Sequence, residues 1–284
     1  MYINTLVTTE DLARHLDDPQ WVVFDCRFTL TDPEGGRQAY AKAHIPGARY
    51  AHLDEDLAAP VEEGRTGRHP MPDVHELARK LCAWGVGVNK QVVVYDDSFG
   101  AMAVRMWWLL RWLGHPAVAL LDGGYPKWLR EKLPVSTDIP ESHKGHCACL
   151  PEPTQLVDAK DVLRASQTGD ALIIDARPER RFSGEYEPLD PVAGHIPGSI
   201  NWSFEENLDI DGTFLPPEAL RENFQALLKG RPAWQVIHTC GSGVTACHNL
   251  LAMEIAGLPG SRLYPGSWSE WITDPSRPIA LGEV

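Results

Sequence analysis

The chain has 284 residues, which is enough for two domains of ordinary size, and its hydrophobic fraction of 43% suits globular cores. Its 26 basic and 39 acidic residues give a net charge of −13, which argues against nucleic acid or an anionic membrane as a partner. No apolar run reaches the length of a membrane span, and the first residues show no secretory signal. The six scattered cysteines do not resemble a disulfide framework, so we expect a cytoplasmic protein with reduced thiols.

Four sequence blocks occur twice in the same order. The first copy carries them at 22–27, 44–48, 91–96 and 121–128, and the second copy at 172–177, 195–199, 235–240 and 264–271. Repeated blocks in one order indicate two copies of one domain. We assign residues 1–133 to an N-terminal domain and residues 154–284 to a C-terminal domain. Residues 134–153, which contain four prolines, are predicted to form a linker.

Within each copy, short apolar runs alternate with amphipathic helix patterns. This alternation predicts an α/β fold in which a mostly parallel sheet is flanked by helices. In the first copy, Asp73-Val74-His75-Glu76 predicts a capped helix start, and the helix is expected to end near Gly85. In the second copy, Pro216-Pro217-Glu218 predicts the equivalent start and Lys229-Gly230 the end.

The segment around Cys240 carries the strongest chemical signal. A short apolar run ends at this cysteine, a loop with Gly241, Ser242, Gly243 and Thr245 follows, and an apolar helix pattern covers 246–256. Loop N–H groups and a helix N-terminus both stabilise a thiolate, which is the nucleophilic form of cysteine. Lowering the pKa of a thiol by about two units, which makes it mostly thiolate near neutral pH, takes about 2.7 kcal/mol. Hydrogen bonds to a charged acceptor contribute about 1.5–3 kcal/mol each, so two such N–H groups would suffice without a histidine base.

The repeat places Asp96 of the first copy opposite Cys240 of the second. We therefore expect a non-catalytic first domain and a catalytic second domain. A cysteine-dependent phosphatase would need an arginine six residues after the cysteine, where this chain has Ala246.

These residues resemble the rhodanese superfamily, and specifically its tandem-domain sulfurtransferases. The resemblance rests on the paired His-Ile-Pro-Gly segments, on the Asp-x-Arg strand ends at Asp25 and Asp175, and on the block 264–271. The loop 240–245 is most similar to that of 3-mercaptopyruvate sulfurtransferases. Relatives that prefer thiosulfate usually carry two basic residues in place of Gly241 and Ser242.

The resemblance implies that Cys240 takes a sulfur atom from 3-mercaptopyruvate and holds it as a persulfide. Thiosulfate is the alternative donor, and a persulfide carrier that serves only a protein partner is the alternative function. The acceptor would be a thiol, such as reduced thioredoxin or a small thiol, or cyanide. Loop residues Gly241, Gly243, Val244 and Thr245 are expected to bind the substrate and the persulfide. No metal or organic cofactor is expected.

Four further side chains follow from the resemblance. Arg181 matches the arginine that binds the substrate anion. A second arginine that commonly follows a Glu-Pro pair is replaced here by Leu189. Ser242, His69 and Asp54 are the best matches for a Ser-His-Asp set near the nucleophile, with a role in proton delivery to the leaving enolate.

The region 134–153 also holds His143, His146, Cys147 and Cys149. Their Cys-Ala-Cys spacing is not a usual zinc spacing, and no second ligand pair is obvious in the sequence. We therefore predict no metal site there.

Overall fold

The structure is a computed structural model that describes residues 2–141, 145 and 155–282. These residues divide into two compact units. The first unit contains 2–59, 71–141, 145 and 210–214, and the second contains 60–70, 155–209 and 215–282. Residues 60–70, from the first half of the chain, thus belong to the second unit, and residues 210–214, from the second half, belong to the first unit. The predicted domain bounds describe the two copies in the sequence and stay a prediction for the folded chain.

The first unit is built on a five-stranded parallel sheet with the strand order β1-β5-β4-β2-β3. Its strands are β1 (Leu6–Val7), β2 (Trp21–Asp25), β3 (Arg49–Tyr50), β4 (Gln91–Tyr95) and β5 (Val118–Leu121). Its helices are α1 (Thr9–Arg14), α2 (Gly35–Lys42), α3 (Leu53–Asp56), α4 (Val74–Ala83), α5 (Ala103–Trp112) and α6 (Gly124–Arg130). Every residue of the central strand β4 is buried, as expected for a parallel strand with helices on both faces.

The second unit is built on a four-stranded parallel sheet with the order β7-β6-β8-β9. Its strands are β6 (Leu172–Asp175), β7 (Ser199–Asn201), β8 (Val236–Thr239) and β9 (Arg262–Leu263). Its helices are α7 (Ala159–Thr168), α8 (Glu179–Phe182), α9 (Pro217–Leu228), α10 (Ala246–Ile255) and α11 (Ser267–Trp271), with single 3-10 turns at Phe204–Asn207 and Ala233–Gln235. The predicted α/β fold with two sheet-and-helix copies is confirmed.

The predicted helix ends have the expected local chemistry. The Asp73 side chain accepts hydrogen bonds from the N–H groups of His75 and Glu76 and so caps α4. Pro217 is the first residue of α9, where its missing N–H costs no hydrogen bond. Lys229 ends α9 in a left-handed conformation with φ 50°.

The two sheets repeat the same register around a buried ion pair. Asp25 on β2 is opposite Tyr95 on β4, and Asp175 on β6 is opposite Thr239 on β8. Each aspartate holds the arginine two residues later, with Arg27 Nη2 2.6 Å and Arg177 Nη2 2.8 Å from a carboxylate oxygen. Asp96 and Cys240 are therefore the first residues after equivalent strands, β4 and β8.

The loop after β4 folds around the carboxylate of Asp96. One oxygen accepts from the N–H groups of Ser98 and Gly100, and the other from those of Met102 and Ala103, all at 2.8 Å. The side chain is fully buried. This loop is a cradle of inward N–H groups that carries its own anion.

Asp96→Asn should destabilise the first unit by about 2–5 kcal/mol, because the amide NH₂ would face two N–H donors inside a buried cradle. Urea unfolding followed by circular dichroism measures the loss. Asp97→Asn, at the exposed neighbouring position, is the control and should change stability by less than about 0.5 kcal/mol. Equal unfolding midpoints for the two variants would contradict the role of the cradle.

Two of the sequence predictions concern a membrane span and a metal site in residues 134–153. No helix in the ranges given above is long and apolar enough to cross a membrane. His143, His146, Cys147 and Cys149 lie outside the described residues.

Candidate active site

Cys240 follows β8 directly, and its side chain is only 2% exposed. The N–H of Gly243 donates a hydrogen bond to the Cys240 sulfur at 3.2 Å, and the hydroxyl oxygen of Ser267 lies 4.0 Å from the same atom. Helix α10 begins at Ala246, where the sequence predicts it. The strand, the loop and the helix thus place a buried thiol near the N-terminus of α10.

Hydrogen bonds to the first residues of α11 hold the cysteine loop in place. Cys240 donates its N–H to the Ser267 hydroxyl at 3.0 Å. In return, the N–H groups of Trp268 and Ser269 donate to the carbonyls of Cys240 and Gly241, at 3.0 and 2.9 Å. These bonds give the repeated block 264–271 a direct role in shaping the cysteine loop.

Several loop N–H groups have no acceptor in the part of the chain that the structure describes. They belong to Ser242, Val244 and Thr245. Ser242 and Val244 are buried. Because buried N–H groups are nearly always paired, these donors are suited to an anion bound beside the Cys240 sulfur.

Ser242 and His69 are brought together. The Ser242 hydroxyl oxygen lies 2.7 Å from His69 Nδ1, and both side chains are buried. His69 belongs to the segment 60–70, which packs in the second unit. This segment is anchored because the N–H of Arg68 donates to the Ser269 hydroxyl at 3.1 Å.

Asp54, the third member of the predicted set, lies on α3 in the first unit. Its N–H points to Nδ1 of His52 at 3.2 Å, as part of the cap of that helix. Its participation in the chemistry stays a prediction.

Arg181 lies on α8 and is fixed by two carboxylates. Its Nε is 3.1 and 3.0 Å from the two oxygens of Glu187, and its Nη2 is 3.1 Å from Asp190. The guanidinium also reaches the cysteine loop, since a Cβ placed on Gly241 would lie 3.4 Å from both Nη1 and Nη2. The predicted anion-binding arginine is therefore next to the residue that follows Cys240.

Sequence reasoning missed Arg68. Its Nη1 pairs with the second oxygen of Asp190, and its Nη2 would lie 2.8 Å from a Cβ on Gly241. Arg68 and Arg181 therefore share one carboxylate and cover one glycine. No local pattern connects Arg68 with Asp190, because 122 residues separate them.

The pKa values of the two carboxylates that hold the arginines shift in opposite directions. Burial raises the pKa of Asp190 in spite of Arg68 and Arg181. Burial also opposes ionisation of Glu187, but its hydrogen bonds, above all that from Arg181, hold the pKa of Glu187 below its ordinary value. Glu187 is thus the firmer counter-charge of Arg181.

A further buried cation, Arg177, lies 3.4 Å from Glu187. Its burial acts to lower its pKa, but attraction to Asp175, Glu187 and Cys240 outweighs that effect. The pKa of Arg177 is raised as a result, so this side chain is a permanent positive charge near the thiol.

One set of possible metal ligands occurs within the ranges described by the structure. Glu34, His52 and Glu55 of the first unit have ligand atoms within 4.8 Å of one another. Arg37 already pairs with both glutamates, at 3.2 and 2.6 Å. We assign no metal to this group.

The comparisons with known proteins agree with this fold. The family described as Rhodanese-like domain matches residues 8–131 and 158–274. A probable 3-mercaptopyruvate sulfurtransferase of Pseudomonas aeruginosa is 52% identical over 280 residues, which cover 98% of each chain. A putative thiosulfate sulfurtransferase of Mycobacterium tuberculosis is 37% identical, over 98% of this chain and 97% of its own.

A solved structure from Escherichia coli, presented as showing the rhodanese fold and catalytic mechanism of 3-mercaptopyruvate sulfotransferases, matches with a TM-score of 0.77. It is 34% identical, and the match covers 93% of this chain and 99% of the other. The paired sheets and the cysteine loop thus define a protein with two rhodanese-like copies. The chain belongs to the rhodanese family, as its motifs predict.

Gly243→Ala should disrupt the cysteine loop. Gly243 has φ +77°, and an added Cβ would lie 2.2 Å from the Pro265 carbonyl oxygen. We expect a loss of stability at least about 2 kcal/mol larger than that of Gly230→Ala, together with loss of sulfur loading on Cys240. Urea unfolding and mass spectrometry measure the two effects.

Gly230 provides the control, because it has a similar φ of +85° but nothing within 4 Å of an added Cβ. Its substitution reports the cost of a left-handed backbone alone, about 1 kcal/mol. If both variants lost the same stability and both loaded sulfur, the close contact with Pro265 would have no role.

Proposed function

We propose that this protein is a sulfurtransferase that moves a sulfur atom from 3-mercaptopyruvate to an acceptor thiol, or to cyanide, through a persulfide on Cys240. The observation that carries the proposal is the Cys240 loop. A buried sulfur accepts one backbone N–H, further buried N–H groups lack acceptors among the described residues, and two guanidiniums lie over Gly241. Thiol, amide donors and cations are the three parts that transfer of sulfur from an anionic donor needs.

In the first half-reaction, the Cys240 thiolate attacks the sulfur of 3-mercaptopyruvate. The new S–S bond forms as the S–C bond breaks, and the electron pair of the S–C bond goes to the carbon fragment. This fragment leaves as the enolate of pyruvate and becomes pyruvate when it takes up one proton. Cys240 then carries the persulfide, and the loop N–H groups stabilise its charge.

Ser242 and His69 are proposed to deliver that proton. Their 2.7 Å hydrogen bond gives a path from the imidazole to a hydroxyl two residues after the nucleophile. A positioned proton donor of this kind typically contributes about 10²–10⁴-fold to a rate. Asp54 is proposed to orient the imidazole, as the third member of the set.

In the second half-reaction, an acceptor thiolate attacks the outer sulfur of the persulfide and releases the Cys240 thiolate. Reduced thioredoxin, a small thiol and cyanide all have the nucleophile that this step requires. The balanced reaction uses only the donor, the acceptor, one proton and Cys240, so we propose no cofactor. Since the reaction needs a reduced Cys240, we propose the cytoplasm as its location.

Thiosulfate is the second candidate donor, favoured by the 37% identity to a putative thiosulfate sulfurtransferase. In that case sulfite leaves and needs no proton, so Ser242 and His69 would have no chemical task. The two donors therefore make different demands on the same site.

Steady-state kinetics with both donors test the proposal. We expect kcat/KM for 3-mercaptopyruvate to exceed that for thiosulfate by at least about tenfold, since the site offers a proton path that only the former uses. Pyruvate and sulfite are measured separately. Cys240→Ser should abolish both activities and the added mass of one sulfur atom on residue 240.

Cys247→Ser, at the buried cysteine of α10, is the matched control and should keep both the activity and the added mass. A single loading of sulfur without turnover would indicate a persulfide carrier instead. Faster release of sulfite than of pyruvate would make thiosulfate the donor.

Ser242→Ala and His69→Gln should separate the donors. With 3-mercaptopyruvate we expect kcat to fall by about 10²–10⁴, and with thiosulfate by less than about threefold, because only the enolate must be protonated. Release of pyruvate and of sulfite measures the two rates. His75→Gln, at an exposed position, should leave both unchanged. An equal fall with both donors would show that the pair supports the loop rather than the proton transfer.

A further inference from the structure

We propose that Arg68 is a second substrate-binding residue, which together with Arg181 grips the carboxylate of a 2-oxo acid donor. This inference rests on the proposed function, because it assigns the donor's carboxylate to the face of the cysteine loop. It concerns a residue that lies outside the two rhodanese motifs around Cys240 and Arg181.

One carboxylate positions both guanidiniums. Asp190 binds Arg68 through Oδ1 and Arg181 through Oδ2, the latter at 3.1 Å. Its side chain is 3% exposed, so the bridge is sheltered from water. Glu187 fixes the other edge of Arg181. The two cations are thus held before any ligand arrives.

The unused donors of both arginines lie on the side of the cysteine loop. A Cβ built on Gly241 would lie 2.8 Å from Arg68 Nη2 and 3.4 Å from both Nη1 and Nη2 of Arg181. Arg68 Nη2 and Arg181 Nη1 have no acceptor among the described residues, and the buried Nε of Arg68 also has none. An arginine presents five N–H groups in a planar fork, so these edges match the two oxygens of a carboxylate.

Arg68 lies where a side chain at position 241 would be. Gly241 has no side chain, which leaves this space to Arg68. Arg68 reaches the space from the segment 60–70 of the second unit.

The charge balance favours a monoanion. Two guanidiniums are matched by the two carboxylates of Glu187 and Asp190, so the cluster offers directed N–H groups without a large excess of positive charge. A monoanion needs less excess positive charge than a dianion does, and a carboxylate can accept two parallel N–H groups from an arginine fork. The ligand class that follows is a small 2-oxo carboxylate.

Calorimetric titration of 3-mercaptopyruvate into Cys240→Ala tests the inference without turnover. Adding Arg68→Ala should raise Kd about 10- to 100-fold, and adding Arg181→Ala should do the same, because each removes charge-assisted hydrogen bonds to the carboxylate. Arg68→Lys, which keeps the charge but loses the fork, should recover only part of the affinity. Arg65→Ala, at an exposed arginine of the same segment, should leave Kd unchanged.

In the protein with Cys240 intact, Arg68→Ala should raise KM for 3-mercaptopyruvate by a similar factor and change kcat by less than about threefold. A purely structural role would lower kcat with every donor instead. The inference is overturned if Arg68→Ala stays within about twofold of its parent in Kd, or if the Cys240→Ala parent binds no 3-mercaptopyruvate. Failure of the proposed function has a different signature, since the intact protein would then bind the ligand through Arg68 and release no pyruvate.

Discussion

The whole site depends on the hydrogen bonds that close the cysteine loop onto the start of α11. Because Trp268 and Ser269 donate to the carbonyls of Cys240 and Gly241, those carbonyls point toward α11. In a trans peptide the N–H points opposite to the carbonyl. The N–H groups of Gly241 and Ser242 must therefore point away from α11. The direction of the amides is set by the backbone of a neighbouring segment, and the side chains of the loop can be small.

The two copies of the domain show what such a loop can hold. In the first unit, four N–H groups surround the carboxylate of Asp96, which belongs to the same chain and fills the cradle permanently. In the second unit, a thiol takes the equivalent position, and several buried N–H groups have no acceptor in the described ranges. A backbone that stabilises a fixed carboxylate has the donors to stabilise a negative sulfur or a passing anion. The first loop thus carries its own anion, whereas the second leaves N–H donors for another one.

The parts that the sequence predicted are those encoded locally or by the repeat. The β8–loop–α10 pattern around Cys240 and the pairing of position 240 with Asp96 needed only neighbouring residues and an internal comparison. The packing of the segment 60–70 in the second unit had no such signal, because it follows from side-chain contacts between distant parts of the chain. Arg68 was missed for this reason, although His69, beside it, was found through the family resemblance.

The family resemblance predicts a second arginine at position 189, where this chain has leucine. In the folded chain, the guanidinium of Arg68 reaches the space next to Gly241 from a different segment of the chain. With a net charge of −13, the protein as a whole repels anionic donors, so this local arrangement has to supply the attraction. The positions of Gly241 and Arg68 therefore depend on each other. A side chain at position 241 would displace the guanidinium of Arg68, and without Arg68 the space next to Gly241 would lack that guanidinium. We therefore propose that donor preference in this chain depends on that pair and not on the cysteine loop alone.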